Sequence, residues 1–434
     1  EAVAKHAYVG GGTNNSAGAE GSTISGGGGA TGNIIDADSD WAAIGGGELN
    51  QVINGNSSVI GGGSTNIITG KNSVIGGGVT HIVTGEGSSV LGGDTNQING
   101  NMSVIGGGGG HYLTGDFSTI CGGDKHNLDS SASAITGGTK HTVLSDHSSV
   151  SGGQKNKIVV NSGWNSISGG SNNTIGETST AVNVPSDYAA IVGGHQNTIA
   201  GKLSTIIGGS GSQIEAQNCI ITGGSAAKIM KESFGSIIAG VGSSGAALTI
   251  GVDYTSSPIG IPYDDIPAST STNSGIVGGE DNHINGGLVK EGKNNFLVGG
   301  SRNRLGAKAA YVTNSQIFGG LNNEIAAYGG TEDPALLAHG LIVGGSEHVI
   351  LMGQTSSEVL YSGIVGGFRN AINWVPHKGN SPALSGEGEI FDDTTMVIAP
   401  WYDPSHFGIE MDDSISSSTH GVQTSYIFGG VKNS

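Results

Sequence analysis

Apolar residues recur at a fixed interval along the first part of the chain, with polar residues of constant type around them. Serines stand fifteen residues apart from Ser58 to Ser148, and each opens the phrase Ser-x-Ile-x-Gly-Gly-x-x-Asn-x-Ile. The phrase carries two apolar positions eight residues apart, as in Ile60 and Ile68. Such strict periodicity indicates one small structural unit stacked many times.

Each phrase contains two short stretches with alternating apolar and polar positions, and β-branched residues dominate the apolar places. This alternation predicts strands, because stretches this short cannot form helices. The glycine pairs between them predict turns. We therefore predict an all-β fold: a parallel β-solenoid or β-roll with coils of about 15 residues, stacked about 4.8 Å apart and decorated by insertions in the C-terminal half.

The phrase can be traced twenty-one times, from Ala7 to Ser425. Residues 1–240 are predicted as a regular β-solenoid, and residues 241–434 as its continuation with long insertions, chiefly 241–273 and 373–424. Stacking turns every position of the phrase into a column. Isoleucines are predicted inside the coils, and the aligned Asn and Ser side chains are predicted to hydrogen-bond from coil to coil.

The residue before each glycine pair is small in the first half of the chain and large and apolar in the second. It lies next to the inward isoleucine, so it points outward from the strand. An outward apolar line needs a cover, which either the insertions or another subunit could supply. The predicted assembly or binding residues on this line are Val298, Phe318, Val343, Val365 and Phe428.

Composition narrows the class of partners. Glycine supplies 83 of 434 residues without a Gly-X-Y period, which excludes collagen, and aromatic residues make up only 5%. A formal net charge of −18 disfavours nucleic acids and anionic membranes and is compatible with divalent cations. No apolar run is long enough to span a membrane. The start at Glu1 without a signal peptide is typical of a processed secreted protein or a piece of a longer one, so we expect an extracellular, cell-surface or virion-surface location.

Candidate sites are few. Asp36, Asp38 and Asp40 resemble the opening of a calcium loop, with a solvated acidic turn as the alternative, and no other cofactor is predicted. A column of histidines alternates with asparagines and either chelates metal or takes the role of Asn in a turn; we favour the turn. Trp401 and Tyr402, in the last insertion, either stack on sugar rings or form a small core. The two cysteines lie too far apart along the stack for a disulfide.

Units such as Asn72-Ser73-Val74-Ile75-Gly76 and Asn96-Gln97-Ile98-Asn99-Gly100 resemble the head repeats of trimeric autotransporter adhesins of the YadA type. The resemblance covers most of residues 7–240 and recurs in patches to 434. It implies a left-handed parallel β-roll, bundling of three chains, and binding to host or matrix surfaces. The chain departs from the family by placing Ile where Ala is usual and by its long insertions. Fibres of phage tails use similar repeats.

These features predict a protein that is not an enzyme: a structural subunit of an extracellular or cell-surface fibre. Its partner would be a further copy of itself, through lateral contacts and through head-to-tail contacts between open coils, since neither end carries an evident cap. The alternative is an adhesin head or phage tail-fibre segment that binds surface glycans. A third hypothesis is a spike that cleaves polysaccharides. It is disfavoured because no pair of carboxylates stands out from the sequence as a catalytic pair.

Overall fold

The computed structural model is built of parallel β-strands, and no helix among the described residues is long and apolar enough to cross a membrane. Contacts divide the chain into two compact units, Glu1–Leu203 and Ser204–Ser434, here called unit 1 and unit 2. The predicted all-β parallel solenoid is confirmed. The described residues are 1–159, 163–176, 186–230, 233–240, 248–250, 271–284, 292–308, 311–328, 336–352, 358–359, 361–368, 371–374 and 424–428.

Each coil of unit 1 contributes one strand from the Ser half of the phrase and one from the Asn half. The Ser strands are Tyr8–Val9, Thr23–Ile24, Ala43–Ile44, Val59–Ile60, Val74–Ile75, Ser89–Val90, Val104–Ile105, Thr119–Ile120, Ala134–Ile135, Ser149–Val150, Ser166–Ile167 and Ala190–Val192. The Asn strands are Ser16–Ala17, Ile34–Ile35, Gln51–Val52, Ile67–Ile68, Ile82–Val83, Gln97–Ile98, Tyr112–Leu113, Asn127–Leu128, Thr142–Val143, Lys157–Ile158, Thr174–Ile175 and Thr198–Ile199.

The register keeps equivalent residues in line, so the core of unit 1 is a set of apolar columns. Ile60 pairs with Ile75, and Ile105 with Ile120, in the parallel sheet of the Ser strands. All four side chains are fully buried, as are Ile68 and its equivalents in the sheet of the Asn strands. Each fully buried isoleucine contributes roughly 1.5–3 kcal/mol. Two apolar columns facing each other therefore suffice for a thin core in a chain with few aromatic residues.

The Ser columns supply hydrogen bonds along the stack, as the sequence predicts. The backbone N–H of Ser103 donates to Oγ of Ser88 at 3.1 Å, and Oγ of Ser103 donates to the carbonyl of Gly115 at 2.9 Å. The hydroxyl therefore accepts from one neighbouring coil and donates to a turn. Because buried polar groups must be paired, this fully buried column is stabilising only as long as the coils stay in register.

The Asn columns play the same part at the glycine turns. Oδ1 of Asn96 accepts the N–H of His111 at 3.1 Å, and Nδ2 of Asn96 donates to the carbonyls of Gly92 and Gly108 at 3.2 and 3.0 Å. The turn itself requires glycine. Gly108 has φ +89°, and a Cβ there would lie 2.3 Å from the carbonyl oxygen of Gly123.

Unit 2 repeats the two kinds of strand with longer members. The Ser strands are Thr205–Ile207, Ile220–Thr222, Ile237–Ala239, Gly275–Val277, Phe296–Val298, Gln316–Phe318, Gly340–Val343, Tyr361–Val365 and Thr424–Phe428. The Asn strands are Gln213–Ile214, Lys228–Ile229, Thr249–Ile250, His283–Ile284, Arg304–Lys308, Glu324–Tyr328, Val349–Met352 and Ala371–Trp374. The inward columns, such as Ile221, Ile238 and Ile276, are fully buried.

A third parallel sheet in unit 2 was not predicted. Its strands are Ser271–Thr272, Gly292–Lys293, Tyr311–Thr313, Leu336–Ala338 and Glu358–Val359. They come from segments that the sequence presents as interruptions of the repeat, and they pair with one another from coil to coil. These extra residues therefore enlarge the coil by one strand. The predicted division at residue 240 stays a prediction, and the insertions 241–273 and 373–424 fall largely outside the described residues.

Candidate functional site

The Ser strands of unit 2 carry an exposed apolar surface on the side away from the core. The residue that follows each inward isoleucine points outward, and the register aligns Val277, Val298, Phe318 and Val343 in one column. Val277, Phe318 and Val343 are 47%, 40% and 37% exposed, while Val298 is half-buried. Val365 continues the column beside Val343 and is also half-buried.

A second outward column runs beside the first, formed by the residue that precedes each inward position. Ile220, Ile237 and Phe296 belong to it and are exposed to a similar degree. The two columns together are called the apolar face here. Its large apolar members are Ile207, Ile220, Ile237, Val277, Phe296, Val298, Phe318, Leu341, Val343 and Val365, and its other positions hold Thr205, Thr222, Ala239, Gly275, Gln316 and Gly363.

The apolar face contains most of the predicted assembly residues. Phe428 pairs through its backbone with Val365, and its side chain lies outside the described part of the structure. Trp401 and Tyr402 also lie outside the described residues. Whether these residues bind a partner stays a prediction.

The equivalent position in unit 1 is glycine or another small residue in most coils, where the strand ends one residue earlier, and the exposed Leu91 and Val192 are the large exceptions. A Cβ on Gly61 would lie 2.3 Å from the carbonyl oxygen of Gly76, and one on Gly106 would lie 2.5 Å from that of Cys121. In unit 2 the strands extend through this position, as in Thr205–Ile207. The side chain then points away from the sheet, so valine, isoleucine and phenylalanine fit.

Unit 1 carries a different exposed column, which the sequence analysis did not identify. It consists of the residue immediately before the first position of each Ser phrase, at a turn where non-glycine residues adopt φ values such as +62° at Trp41 and +55° at Phe117. We call it the turn ladder. Its large members are His6, Trp41, Met102, Phe117, His147, Trp164, Tyr188 and Leu203, and its small or polar members include Ser57, Asn72, Gly87 and Ala132.

The rings of the turn ladder stack on one another where they are adjacent. The centroids of His147 and Trp164 are 4.4 Å apart with planes 7° from parallel, and those of Trp164 and Tyr188 are 5.5 Å apart with planes 12° from parallel. Trp164 and Tyr188 are nevertheless more than half exposed. Large aromatic side chains are uncommon at positive φ, because Asn and Gly adopt this conformation at a lower cost in free energy. The turn alone therefore does not explain why aromatic residues stand here.

The histidines of the Asn column are buried, and three of them stack. The rings of His111, His126 and His141 follow one another at centroid distances of 4.9 Å with nearly parallel planes. Nδ1 of His111 accepts the N–H of His126 at 3.2 Å, so each ring replaces the amide oxygen of an asparagine. Its proton therefore lies on the buried Nε2, which faces glycine carbonyls of the turns, such as those of Gly107 and Gly123 for His111, without the well-formed hydrogen bonds that the Nδ2 of an asparagine makes there.

Burial lowers the pKa of these histidines, because the uncharged ring is favoured away from water. The pKa of His126 falls to about 4, first through burial and then through its neighbours His111 and His141. Those two neighbours also have lowered pKa values, again mainly through burial. The column is therefore uncharged at neutral pH, and it fills the turn position that the sequence analysis favoured over metal chelation.

The three aspartates of the predicted calcium loop are not gathered around one point. Asp36 accepts hydrogen bonds from the hydroxyl of Ser39 and from the N–H of Asn54, and Oδ1 of Asp40 accepts the N–H of Glu20 at 3.1 Å. Asp38 is exposed. Among the described residues no three His, Cys, Asp or Glu side chains form a group that could hold a metal ion, and calcium binding here stays a prediction.

Both cysteines are free thiols. Cys121 is exposed in unit 1, and Cys219 is buried in unit 2, where burial raises the pKa of its thiol to about 11. A thiol with so high a pKa is inert at neutral pH.

The fold and these surfaces define a parallel β-solenoid protein with an exposed apolar sheet face in one unit and an exposed turn ladder in the other. No protein-family model matches the chain, and no similar sequence is found among curated proteins. Function is therefore argued from the two surfaces.

Proposed function

We propose that this chain is a non-enzymatic structural subunit of an extracellular or cell-surface fibre, and that copies associate laterally through the apolar face of unit 2. The observation that carries the proposal is the face itself: exposed Val, Ile and Phe side chains are concentrated in two adjacent outward columns of a regular sheet, and the remaining positions hold uncharged residues such as Thr222, Ala239 and Gln316. Soluble monomers rarely expose contiguous apolar surfaces of this kind, which mark interaction sites.

The distribution of charge favours a second copy as the occupant. The chain has a formal net charge of −18, so copies repel one another over most of their surface. The outward positions that flank the inward residues from Thr205–Ile207 to Tyr361–Val365 carry no charged side chain. Two copies can approach there without desolvating a charge, and the common repeat of about 4.8 Å lets the ridges of one face fit between those of the other.

The use of the polar residues supports a structural role. The serine and asparagine columns, which supply many of the buried polar groups, are engaged in coil-to-coil and turn hydrogen bonds. A nucleophilic serine would need a hydroxyl facing a base, and the serines of the phrase instead face backbone carbonyls. We therefore propose that the polar groups stabilise the stack.

The resemblance of the sequence to YadA-type heads supports this proposal, because the parallel solenoid of this chain is compatible with the β-roll of those heads. Bundling of three chains would be one form of the lateral contact, and a phage tail fibre would be another setting for it. The head-to-tail contact predicted from the sequence would add to the lateral one.

The lateral contact is tested by placing charge on the apolar face. In the double variant Val277→Lys, Phe318→Lys, each substitution removes an apolar side chain from the contact and would bury an ammonium group. Loss of roughly 3 kcal/mol of apolar burial corresponds to at least about a 100-fold weaker association. Sedimentation velocity over a concentration series measures it.

The matched control is Thr119→Lys, Ser149→Lys, which adds the same charge at outward positions of Ser strands in unit 1. We expect it to associate like the unsubstituted chain. A chain that stays monomeric at every concentration, or a unit 2 variant that associates as strongly as the control, would reject the lateral contact.

A second candidate function is the binding of surface glycans by an adhesin head or a phage tail-fibre segment. The observation that favours it is the turn ladder, which exposes aromatic rings in unit 1, several of them next to a carboxylate such as Asp40, Asp116 or Asp187.

A further inference from the structure

The turn ladder has a gap one residue wide. Ala132 occupies the ladder position between Phe117 and His147, and its methyl group leaves the space between those two rings open. Phe117 is 68% exposed, the highest value among the large apolar residues of the described chain, and Ala132 is exposed as well. The rings stand two coil steps apart, which is about 9.6 Å.

The width of this gap selects what can enter. Carbon atoms in contact with a ring lie about 3.5–4.0 Å from it, so two walls account for about 7–8 Å. A flat aromatic ring would leave part of the remaining width empty. A puckered saturated ring, with C–H groups directed to both faces, is thicker and contacts both walls.

The side of the gap carries hydrogen-bond acceptors. Asp116 and Asp146 precede Phe117 and His147 in the chain, and Ser131 precedes Ala132. Oδ1 of Asp116 accepts the N–H of Asn101, and Oδ1 of Asp146 accepts the N–H of Ser131, both at 2.7 Å. These bonds fix the orientation of both carboxylates, of which Asp146 is exposed and Asp116 is half-buried. The second oxygen of each carboxylate is then an acceptor for a ligand hydroxyl.

We propose that Phe117, Ala132 and His147 form a binding slot for one pyranose unit of an uncharged glycan. A pyranose combines apolar C–H faces, which match the two rings, with hydroxyls at its edge, which match Asp116, Ser131 and Asp146. The carboxylates repel sulfated and uronic acid sugars, so the ligand is uncharged. An alkylammonium group could contact the two rings and the two carboxylates, but it has no hydroxyl to donate to the oxygen atoms at the side of the slot.

The backbone conformation at this site does not account for the aromatic ring. Phe117 has φ +55°, in the left-handed region that costs a non-glycine residue roughly 1 kcal/mol or more. Its ring is not part of the core, so it does not offset that cost through burial. The neighbouring ladder positions Met102 and Ala132 have the same positive φ, so the conformation belongs to the turn, and the exposed ring that the turn does not require is what points to binding.

The decisive variant fills the slot. Ala132→Phe inserts a ring where the ligand would sit and leaves both walls in place. The probes are cellohexaose, maltohexaose and chitohexaose, titrated into the full chain and followed by saturation-transfer NMR and calorimetry. We expect at least one of them to bind, with saturation transferred to its axial C–H protons, and Ala132→Phe to weaken that binding at least about tenfold.

The matched control is Thr95→Phe, which places the same ring at positive φ (+56° at Thr95) at an exposed position in the other turn of unit 1. It should bind like the unsubstituted chain. Phe117→Asn removes one wall and puts a residue that tolerates positive φ in its place, so it should lose binding without losing stability.

Three results would overturn the slot. The first is failure of all three hexasaccharides to bind the unsubstituted chain. The second is equal binding by Ala132→Phe and Thr95→Phe. The third is binding of choline, a trimethylammonium probe, in the absence of sugar binding. The slot lies in unit 1 and the proposed lateral contact in unit 2, so either proposal can fail without the other.

Discussion

Replacing Ile120 by Asp is expected to unfold the central coils of unit 1. Ile120 is fully buried and stands in the inward column between Ile105 and Ile135. The thin core offers a carboxylate neither water nor a cation, so the substitution combines an unpaired buried charge with lost apolar contact. We expect the free energy of unfolding to fall by at least about 4 kcal/mol.

The measurement must resolve individual coils, because repeat arrays can unfold in parts. Amide hydrogen exchange followed by mass spectrometry would show lost protection in coils around residue 120, and urea unfolding followed by circular dichroism would give the total change. The control is Thr119→Asp, which places the same carboxylate on the outward side of the same strand. If Thr119→Asp proved the more damaging of the two, the inward and outward sides of the coil would be assigned wrongly.

Acidification is expected to destabilise unit 1 between about pH 6.5 and pH 4. The pKa of His126 is about 4 in the folded protein, below its ordinary value of 6.5, mainly because the ring is buried. Below pH 6.5 the unfolded chain therefore binds protons that the folded column excludes. Stability that is complete above pH 6.5 is lost as the pH falls towards 4. Over the column of His111, His126 and His141 we expect a loss of roughly 2 kcal/mol or more.

The triple variant His111→Asn, His126→Asn, His141→Asn should remove most of this dependence. Asn96 shows that an amide fills the same position, with Nδ2 donating to two glycine carbonyls, whereas the imidazole Nε2 faces the equivalent carbonyls without a well-formed hydrogen bond. The variant should therefore be at least as stable at pH 7 and clearly more stable at pH 4. Urea midpoints measured from pH 7.5 to pH 4 test this.

The control for the histidine column is His147→Asn, which removes an exposed histidine of unit 1 from the turn ladder. It should leave the pH profile unchanged. An equally steep loss of stability in the triple variant would show that other groups govern the acid response.

The inward columns could be predicted because every repeat has an apolar residue at the same position. Ile60, Ile75 and Ile105 stand at one phrase position, and a position repeated at fixed spacing in a stack must form a line. The Ser and Asn hydrogen-bond columns follow from the same logic. The outward direction of Val277 and Phe318 follows from the two-residue period of a strand.

The turn ladder could not be predicted in the same way. Its members vary from Trp41 through Asn72 to Ala132, so no constant residue type marks the position. The sequence also did not indicate a positive φ at this position, because Phe and Trp are not typical of that backbone conformation. The available signal was positional: the residue directly before each Ser phrase can be aligned and examined for bulk.

The third sheet of unit 2 escaped prediction for another reason. Its strands, such as Tyr311–Thr313 and Leu336–Ala338, come from segments of unequal length that break the fifteen-residue spacing. Unequal spacing is ordinarily a sign of loops. Their pairing depends on the neighbouring coils, which bring them side by side, and that information lies in the three-dimensional arrangement rather than in any one segment.

The coil-to-coil register of unit 1 determines which changes of chain length the fold can accept during evolution. A coil such as residues 88–102 meets the coils before and after it through the same serine, asparagine and isoleucine columns. A tandem duplication or loss of that fifteen-residue stretch would therefore join surfaces that already fit. Genetic events in multiples of one coil can lengthen or shorten the array without a compensating substitution elsewhere.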